Sequence, residues 1–319
     1  MKLVRYEHNG IAHVGVIQYD QVKSLDTTLG VIDILNLPRR ERDYLEVRCG
    51  KMFRSDIEQV RLLPPVEPRA MRDYVAFEAH ISGMKKSEGG TGLVPKEWYQ
   101  APTFLFMNPW SLTGPYDEIV PPADATALDF ELEIGAIVRK QARDVAAADA
   151  SDYIGGYLVL NDWSARDLQR REMKVGLGPS KGKDFANTIG PWLTTSDELD
   201  ERREGDRLDL EMKVFVNGAL VGQDNAKNLS WSFEEMLAYA SRSAIVGPGD
   251  LLGSGTASTG ALAEFWSRGV EPRPEPLKPG DVVRMEIDLL GAIENRIAEP
   301  HTPAPAVPRA RRTYGDDRL

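Results

Sequence analysis

The sequence has a single cysteine, Cys49, among its 319 residues. One cysteine cannot form an internal disulfide or a cysteine-rich zinc site, and its scarcity fits a reducing compartment. No run approaches the roughly 18 apolar residues that a membrane span needs, and the N-terminus lacks an apolar signal core. Basic residues are in the minority, since 39 Lys and Arg against 49 Asp and Glu give a net charge of −10. We therefore expect a soluble, cytoplasmic protein that binds neither membrane nor nucleic acid.

What is present is an ordinary globular composition, with 42% hydrophobic and 28% charged residues. A proline-rich stretch, LLPPVEP, indicates a joint between two domains. We predict a small β-rich N-terminal domain over residues 1–66, a larger domain over 67–300 and a mobile tail over 301–319.

Strand patterns outnumber helix patterns along the chain. Asn9-Gly10 and Asn217-Gly218 each lie between alternating segments and predict β-hairpins. Strands and helices do not alternate regularly, which argues against a doubly wound or TIM-barrel fold. We predict a mostly β (α+β) fold with a mixed sheet.

The most informative stretch is Leu128–Val138, in which apolar and acidic residues alternate. Period two predicts a β-strand, so Glu131 and Glu133 project from one face with Cβ atoms roughly 6.5–7 Å apart. A second predicted strand, residues 157–160, leads directly to Asp162. Three carboxylates from neighbouring strands would form an all-oxygen site suited to Mg²⁺, Mn²⁺ or Ca²⁺. The alternative is a half-buried strand whose acids face water.

Of the four histidines, only His80 lies in the predicted domain that contains the acidic strand. Imidazole is the side chain best suited to accept a proton near neutral pH, so His80 is the candidate general base. A surface or core role for His80 is the alternative. The surrounding residues 73–100 include Gly89, Gly90 and Gly92 and have the composition of a lid.

Two cationic side chains could contact a substrate. Lys183 lies in a glycine-rich loop, where a backbone can approach a ligand closely, although a solvated surface position is the alternative. Arg166 could clamp a substrate carboxylate, or it could pair with Asp162 or Asp167 as a structural contact. Neighbouring Trp163 is predicted to be a core residue.

The motifs NDWSARD, GLGPSKGKDF and GSGT, together with the ELE strand, resemble the fumarylacetoacetate hydrolase (FAH) superfamily over about residues 70–297. The resemblance implies a catalytic domain built as a mixed β-roll, a divalent cation held by carboxylates, and a homodimer. It also implies a small oxo-acid substrate. Members hydrolyse C–C bonds of β-diketo acids and acylpyruvates, or decarboxylate or isomerise related oxo acids.

The resemblance assigns roles to positions that match the family's motifs. It assigns metal binding to Glu131, Glu133 and Asp162. It assigns substrate binding to Arg166, Gln169 and Thr256. It assigns catalysis to Lys183, to His80 and to the carboxylate that orients it, Glu264.

The chain departs from the family pattern at two positions. Ala76 precedes Phe77 where the fumarylacetoacetate-specific members have an Asp ligand, so the fourth protein ligand stays open and water could replace it. Met173 stands in place of a substrate-contacting Tyr, so the exact substrate does not transfer. In addition, Glu78 competes with Glu264 as the partner of His80.

The predicted function is metal-dependent hydrolysis of a C–C bond in a fumarylacetoacetate-like or acylpyruvate-like 2,4-dioxo acid. A histidine would act as general base, and Mg²⁺, or Mn²⁺ or Ca²⁺, would stabilise the enolate. Decarboxylation or isomerisation of a related oxo acid is a close alternative. A non-catalytic β module with a structural cation is the alternative from a different functional class.

Overall fold

A computed structural model describes residues 1–86 and 92–310. Strands dominate it, which confirms the predicted mostly β fold. The strands are β1 Lys2–His8, β2 Ile11–Gln18, β3 Gln21–Ser24, β4 Arg54–Asp56, β5 Leu62–Leu63, β6 Met71–Tyr74, β7 Phe104–Met107, β8 Leu112–Thr113, β9 Leu128–Asp129, β10 Leu132–Val138, β11 Ile154–Asp162, β12 Ser164–Ala165, β13 Asn187–Thr195, β14 Arg203–Glu204, β15 Arg207–Leu208, β16 Glu211–Val216, β17 Ala219–Asn225, β18 Leu251–Gly253, β19 Val282–Ile287 and β20 Gly291–Arg296.

The helices are short and lie between the strands. The α-helices are α1 Val31–Leu35, α2 Arg39–Val47, α3 Glu78–Lys86, α4 Arg166–Met173, α5 Phe233–Ala240 and α6 Leu262–Arg268. The 3₁₀ turns are Ile57–Gln59, Lys96–Tyr99, Pro109–Ser111, Ala147–Tyr153, Ser196–Arg202 and Ala226–Asn228. Across the described ranges, no helix has the length and apolar content to cross a membrane. Gly89 and Gly90 of the predicted lid, and residues 311–319 of the predicted mobile tail, lie outside the described residues.

In the part of the chain that the structure describes, the largest sheet joins twelve strands. Its order is β4-β3-β2-β1-β13-β11-β10-β18-β6-β7, with β5 beside β1 and β8 beside β13. The sheet is mixed, because β18 pairs with β6, and β13 with β8, in parallel. Since β1 also pairs with β13, the predicted N-terminal domain of residues 1–66 contributes strands to the same sheet as the rest of the chain.

A second sheet, in the order β17-β16-β19-β20, packs against the first. Alternate residues of both sheets point into the space between them, as period two requires. The resulting core includes Leu132, Ile134 and Val159 from the large sheet and Met212, Val214, Met285, Ile287 and Ile293 from the small one. This core fixes the middle of the large sheet, where β10 and β11 run side by side.

The predicted acidic strand is two strands with different partners. Leu128–Asp129 pairs with Ser164–Ala165, and Leu132–Val138 pairs with β11 on one side and β18 on the other. Both faces are buried, and Glu131 and Glu133 are only 5% and 0% exposed. The alternative in which these acids face water is therefore wrong, because the chain around them covers both faces.

Local turn chemistry matches the predicted hairpins. Asn9 and Gly10 have φ of 53° and 74°, and Asn217 and Gly218 have φ of 51° and 80°. Two consecutive residues in the left-handed region form the turn that suits the twist of an antiparallel hairpin, and Asn-Gly tolerates it best. The predicted hairpins β1–β2 and β16–β17 are thereby confirmed.

Candidate active site

Four carboxylates from three strands converge at one end of the large sheet. Asp73 lies on β6, Glu131 immediately precedes β10, Glu133 lies on β10, and Asp162 ends β11. Each side chain places one oxygen within 4.8 Å of the others, and all four residues are buried. The register explains this proximity, since β10 pairs with β11 on one side and reaches β6 through the three-residue strand β18 on the other.

Gly253 on β18 leaves the space in which two of these carboxylates meet. It pairs with Gly135 of β10 and with Asp73 of β6. A Cβ at Gly253 would lie 2.9 Å from Oδ1 of Asp73 and 3.1 Å from Oε2 of Glu133. Real Cβ atoms rarely come so close to another heavy atom, so only glycine leaves both oxygens in place.

Several carboxylate oxygens in the cluster lack a hydrogen-bond donor. Among the described residues, neither oxygen of Glu133 has a donor, and Oδ1 of Asp162 has none. Burial, with the neighbouring carboxylates, raises the pKa of Glu133 well above its usual range. Burial also raises the pKa of Asp162, and it raises the pKa of Asp73 to about 6. Unpaired carboxylate oxygens in one buried place are the donor set that a hard divalent cation takes, so the residues fit Mg²⁺, Mn²⁺ or Ca²⁺.

Asp73 fills the fourth position that the sequence left open. Its Oδ1 accepts a 3.1 Å hydrogen bond from the backbone N–H of Gly255. The sequence did not indicate this role, because Asp73 reaches Glu133 only through the parallel pairing of β6 with β18. The sequence offered only that Asp73 is the one acid in the segment 71–77, and a buried acid is costly without a partner.

Lys183 lies inside the cluster. Its Nζ is 2.5 Å from Oε2 of Glu131 and 2.5 Å from Oδ2 of Asp162. The side chain is only 7% exposed, so the alternative of a solvated surface lysine is wrong. Burial opposes the charge of Lys183, but the two carboxylates outweigh it and hold its pKa above the usual range.

The loop before Lys183 is fixed by Glu172 of α4. The Glu172 carboxylate accepts hydrogen bonds from the backbone N–H groups of Ser180, Lys181 and Gly182, at 2.8, 2.9 and 3.1 Å. Gly182 passes so close to α4 that its Cβ would lie 2.6 Å from the backbone nitrogen of Gln169. The glycine-rich sequence therefore serves close packing of the loop against α4, which directs Lys183 inward.

Arg166 connects the cluster to a further buried acid. Its Nε donates to Oδ2 of Asp129 at 2.8 Å, and its Nη1 is 2.7 Å from Oε1 of Glu131. Nη1 also donates to Gln169 at 3.1 Å. The structure thus pairs Arg166 with Asp129 and Glu131, and the predicted alternatives of Asp162 or Asp167 are wrong. Nη2 is buried and has no acceptor within the described residues.

The charge of Glu131 is held by these two cations. Burial would raise the pKa of Glu131, but Lys183 and Arg166 outweigh that effect and keep it below the usual range. The backbone N–H of Glu131 donates to Oδ1 of Asn161 at 3.0 Å, so the NDWSARD segment also fixes the main chain here. Trp163 of the same segment is fully buried, as predicted for a core residue.

His80 of α3 pairs with Glu264 of α6, 184 residues away in the chain. Nδ1 of His80 is 3.0 Å from Oε2 of Glu264, and both side chains are buried. The competing Glu78 accepts a 2.7 Å hydrogen bond from the hydroxyl of Tyr99 instead. The surface alternative for His80 is therefore wrong, and the structure brings Glu264 rather than Glu78 to its ring.

The remaining predicted substrate contacts lie on two elements next to the cluster. Gln169 follows Arg166 by one turn of α4, and Thr256 is buried in the loop after β18, three residues beyond Gly253. Met173, at the end of α4, is 53% exposed. The structure therefore places Gln169 beside the arginine, whereas Met173 lies on the surface.

The chain is similar to known proteins in sequence and in fold. A family model described as "Fumarylacetoacetate (FAA) hydrolase C-terminal" matches residues 69–298. The chain is similar to a 2,4-didehydro-3-deoxy-L-rhamnonate hydrolase of Sphingomonas sp. (strain SKA58), 33% identical over 189 residues, or 59% of this chain and 62% of that protein. It is also similar to a mitochondrial oxaloacetate tautomerase of Xenopus laevis, 35% identical over 207 residues, or 64% of this chain and 59% of that protein.

A solved structure resembles nearly the whole chain. It is the crystal structure of maleylpyruvate hydrolase from Sphingobium sp. SYK-6 in complex with manganese(II) ion and pyruvate. The TM-score is 0.70 at 25% identity, and the match covers 94% of this chain and all of that one. This similarity confirms the predicted fold, a mixed β-roll of the kind found in the fumarylacetoacetate hydrolase superfamily.

Replacing Asp73 with Asn should stabilise the chelator-treated protein at pH 8. Folding raises the pKa of the Asp73 carboxyl from 3.8 to about 6. Its ionisation therefore lowers the free energy of unfolding as the pH rises from about 4 to about 6, and the whole loss is present above that range. The gain should be about 1–3 kcal/mol at pH 8 and close to zero at pH 4. Urea unfolding measures it, with Asp43→Asn on the exposed face of α2 as the control. An equal gain at both pH values would contradict the buried ionised carboxylate.

Replacing Gly253 with Ala should weaken binding of Mg²⁺ or Mn²⁺ by about tenfold or more, because the added methyl group separates Asp73 from Glu133. Gly135→Ala is a matched control. Its Cβ would meet side-chain carbons of Leu158 and Leu251 and no carboxylate oxygen. Isothermal titration calorimetry measures both affinities. If Gly253→Ala bound the cation as tightly as Gly135→Ala, the assignment of Asp73 to the site would be wrong.

Proposed function

Because the chain belongs to the fumarylacetoacetate hydrolase family, we propose that it is a divalent-cation-dependent hydrolase of a 2,4-dioxo acid. The substrate class is acylpyruvate-like or fumarylacetoacetate-like, and the bond cleaved is a C–C bond. One observation carries the proposal: four buried carboxylates, several of whose oxygens lack donors, share one place with Lys183 and Arg166. The hydrolases among the similar proteins support it.

Four residues would hold the cation, namely Asp73, Glu131, Glu133 and Asp162. When bound, a divalent cation supplies positive charge that polarises neighbouring carbonyl oxygens of an oxo acid. The manganese in the maleylpyruvate hydrolase structure supports a cation of this kind. Lys183, inside the same cluster, adds a positive charge and hydrogen-bond donors.

His80 would act as the general base. In the tautomer that has its proton on Nδ1, His80 donates to Glu264, and Nε2 is free to take a proton from water. The resulting hydroxide adds to the acyl carbonyl carbon, and the bond between that carbon and the adjacent CH₂ group breaks. The electron pair of the broken bond passes to the released 2-oxo acid as its enolate. A proton then passes from His80 to the former CH₂ carbon of the enolate, which becomes a methyl group, and the base is restored.

Arg166 would anchor the carboxylate of the substrate. Its Nε and Nη1 are engaged by Asp129 and Glu131, whereas Nη2 is buried and has no acceptor among the described residues. A buried guanidinium donor without an acceptor is costly, and a substrate carboxylate would satisfy it. Oε1 of Gln169 accepts from Nη1 of the same guanidinium group, at 3.1 Å.

Tautomerisation of an oxo acid is the second candidate. The observation in its favour is the 35% identity to an oxaloacetate tautomerase. The same residues suit it, because keto–enol exchange needs a base and positive charge next to the enolate oxygen, and no water is consumed. The products therefore distinguish the two candidates, since hydrolysis yields two acids and tautomerisation yields one.

The experiment that tests the proposal is an assay of the chelator-treated protein with a panel of 2,4-dioxo acids and oxaloacetate. Hydrolysis should appear as loss of enol absorbance together with release of a 2-oxo acid, only after Mg²⁺ or Mn²⁺ is added. Loss of the enol of oxaloacetate without a second product would support the tautomerase. Cation binding without turnover of any compound would support a non-catalytic module.

Replacing His80 with Asn should lower turnover by about 10²–10⁴-fold, the usual contribution of a general base. Cation affinity should persist, because the four residues that would hold the cation are carboxylates and His80 is not one of these ligands. Glu264→Gln should cost less, since the base remains while its orientation weakens. Glu78→Gln is the matched control and should change turnover little, because Glu78 contacts Tyr99. Near-normal turnover of His80→Asn would remove His80 from the mechanism.

We also propose that two copies of the chain associate. Large apolar side chains stand on the surface, including Phe106, Trp110, Val175 and Leu177, which are 67%, 95%, 74% and 91% exposed. Where such side chains lie together on a surface, they favour association in water. Sedimentation velocity at micromolar concentration should show a dimer, and Trp110→Ser should weaken it. A monomer at all concentrations would contradict the proposal.

A further inference from the structure

Arg268 contacts the carboxylate that holds His80. It lies on α6 one turn after Glu264, and its Nη2 forms an ion pair with Oε1 of Glu264. His80 occupies the other oxygen of that carboxylate, Oε2, together with the backbone N–H of Thr259 at 2.7 Å. Glu264 is therefore shared between a permanent cation on one side and the imidazole on the other.

The two partners of this ion pair differ in their exposure to solvent. The side chain of Glu264 is 1% exposed, whereas that of Arg268 is 35% exposed. An exposed pair at this spacing contributes little, but a buried carboxylate depends on the charges that face it. Arg268 thus reaches in from the surface to a carboxylate that solvent does not reach.

Gly83 gives Arg268 the room to reach Glu264. It follows His80 by three residues on α3, and therefore faces α6 as His80 does. A Cβ at Gly83 would lie 2.9 Å from Nε of Arg268 and 2.9 Å from Oε1 of Glu264. Glycine inside a helix lowers the stability of the helix. At Gly83 this loss accompanies the space that the ion pair between Arg268 and Glu264 needs.

Among the side chains that the structure describes, the charged groups next to His80 come from three elements. Glu264 and Arg268 face it from α6. Glu131, at the start of β10, is close enough for its charge to interact with the imidazole. Glu78 is on α3 itself, where its carboxylate accepts from Tyr99. Arg268 is the cation among these groups, and it acts through the carboxylate that His80 contacts.

We propose that Arg268 is a positioning residue that keeps His80 in its neutral, proton-accepting form. It does so by fixing one oxygen of Glu264 and by offsetting the negative charge that the other oxygen presents to the imidazole. An unopposed buried carboxylate would bind the imidazolium more tightly, so the base would be occupied by a proton over more of the neutral pH range. This role rests on the proposed function of His80.

The expected effect of removing Arg268 is a shift in pH dependence rather than a general loss of activity. In Arg268→Met, the negative charge at Glu264 is no longer offset, so His80 should release its proton about one pH unit higher. At pH values below that midpoint, kcat/KM should fall by up to about tenfold. At high pH the two proteins should converge, whereas a merely structural defect would lower the plateau without moving the midpoint.

The experiment follows the Cε1–H chemical shift of His80 against pH by two-dimensional NMR of the full chain with Mg²⁺ present. The chain has four histidines, and the spectrum of His80→Asn assigns the signal. His8 and His13 serve as internal references. The proteins compared are wild type, Arg268→Met, the charge-conserving Arg268→Lys, and the control Arg273→Met, which removes an exposed arginine that stacks on Trp266.

A rise in the His80 midpoint in Arg268→Met, with no change in Arg268→Lys and Arg273→Met, supports the proposal. An unchanged midpoint in Arg268→Met overturns it, as does an equal rise in Arg273→Met. If Arg268→Met does not fold, Arg268→Gln removes the charge but keeps hydrogen-bond donors for Glu264, and it should raise the midpoint; an unchanged midpoint there also overturns the proposal.

The activity profile separates this proposal from the assignment of His80 as base. The NMR measurement needs no substrate, so it judges Arg268 by itself. In Arg268→Met, the NMR titration midpoint of His80 could rise while the low-pH decline of kcat/KM stays at the wild-type pH. In that case Arg268 acts on His80 as proposed, but His80 is not the base. If both move together, both assignments stand.

Discussion

The constraint on which the site depends is the burial of four carboxylates in one place. Taking ionised carboxyl groups out of water is expensive unless cations or hydrogen-bond donors replace the solvent. Lys183 and Arg166 replace it for Glu131, and Lys183 also for Asp162. Glu133 has no donor among the described residues, and Asp73 has one backbone N–H. The protein's own cations therefore compensate only part of the cluster, and the uncompensated part is where a divalent cation fits.

Asp129 holds the surroundings of this cluster together. It is fully buried and accepts hydrogen bonds from the backbone N–H groups of Leu262 and Ala263, at 2.8 and 3.0 Å, as well as from Arg166. Leu262 begins α6, the helix that carries Glu264, and Arg166 begins α4 and contacts Glu131. The Asp129 carboxylate thus fixes both the start of α6, which carries Glu264, and the side chain of Arg166. The partner of His80 and the carboxylate cluster are therefore positioned by the same residue.

The sequence predicted the parts of this site that depend on local pattern. Alternation placed Glu131 and Glu133 together, and a strand end placed Asp162 beside them. Asn-Gly turns predicted two hairpins correctly. Local pattern could not show that residues 128–138 divide into two strands, because the break depends on β9 pairing with β12 rather than with β11. It also could not supply Asp73 or Asp129, whose partners come from distant segments and become neighbours only through sheet order and helix placement.

Asp73 and His80 belong to one short segment, and this connects the cation site to the base. Asp73 lies on β6 and His80 on α3, seven residues later. The chain between them is fixed twice by the loop after β18, since Gly255 donates to Asp73 and Ala76 donates to the carbonyl of Ser254 at 3.0 Å. Gly255 has φ of 77° and passes so close to Tyr74 that a Cβ would lie 2.4 Å from its carbonyl oxygen. Glycine is therefore required where this loop crosses β6, and the glycine-rich loop sets the position of the imidazole relative to the carboxylates.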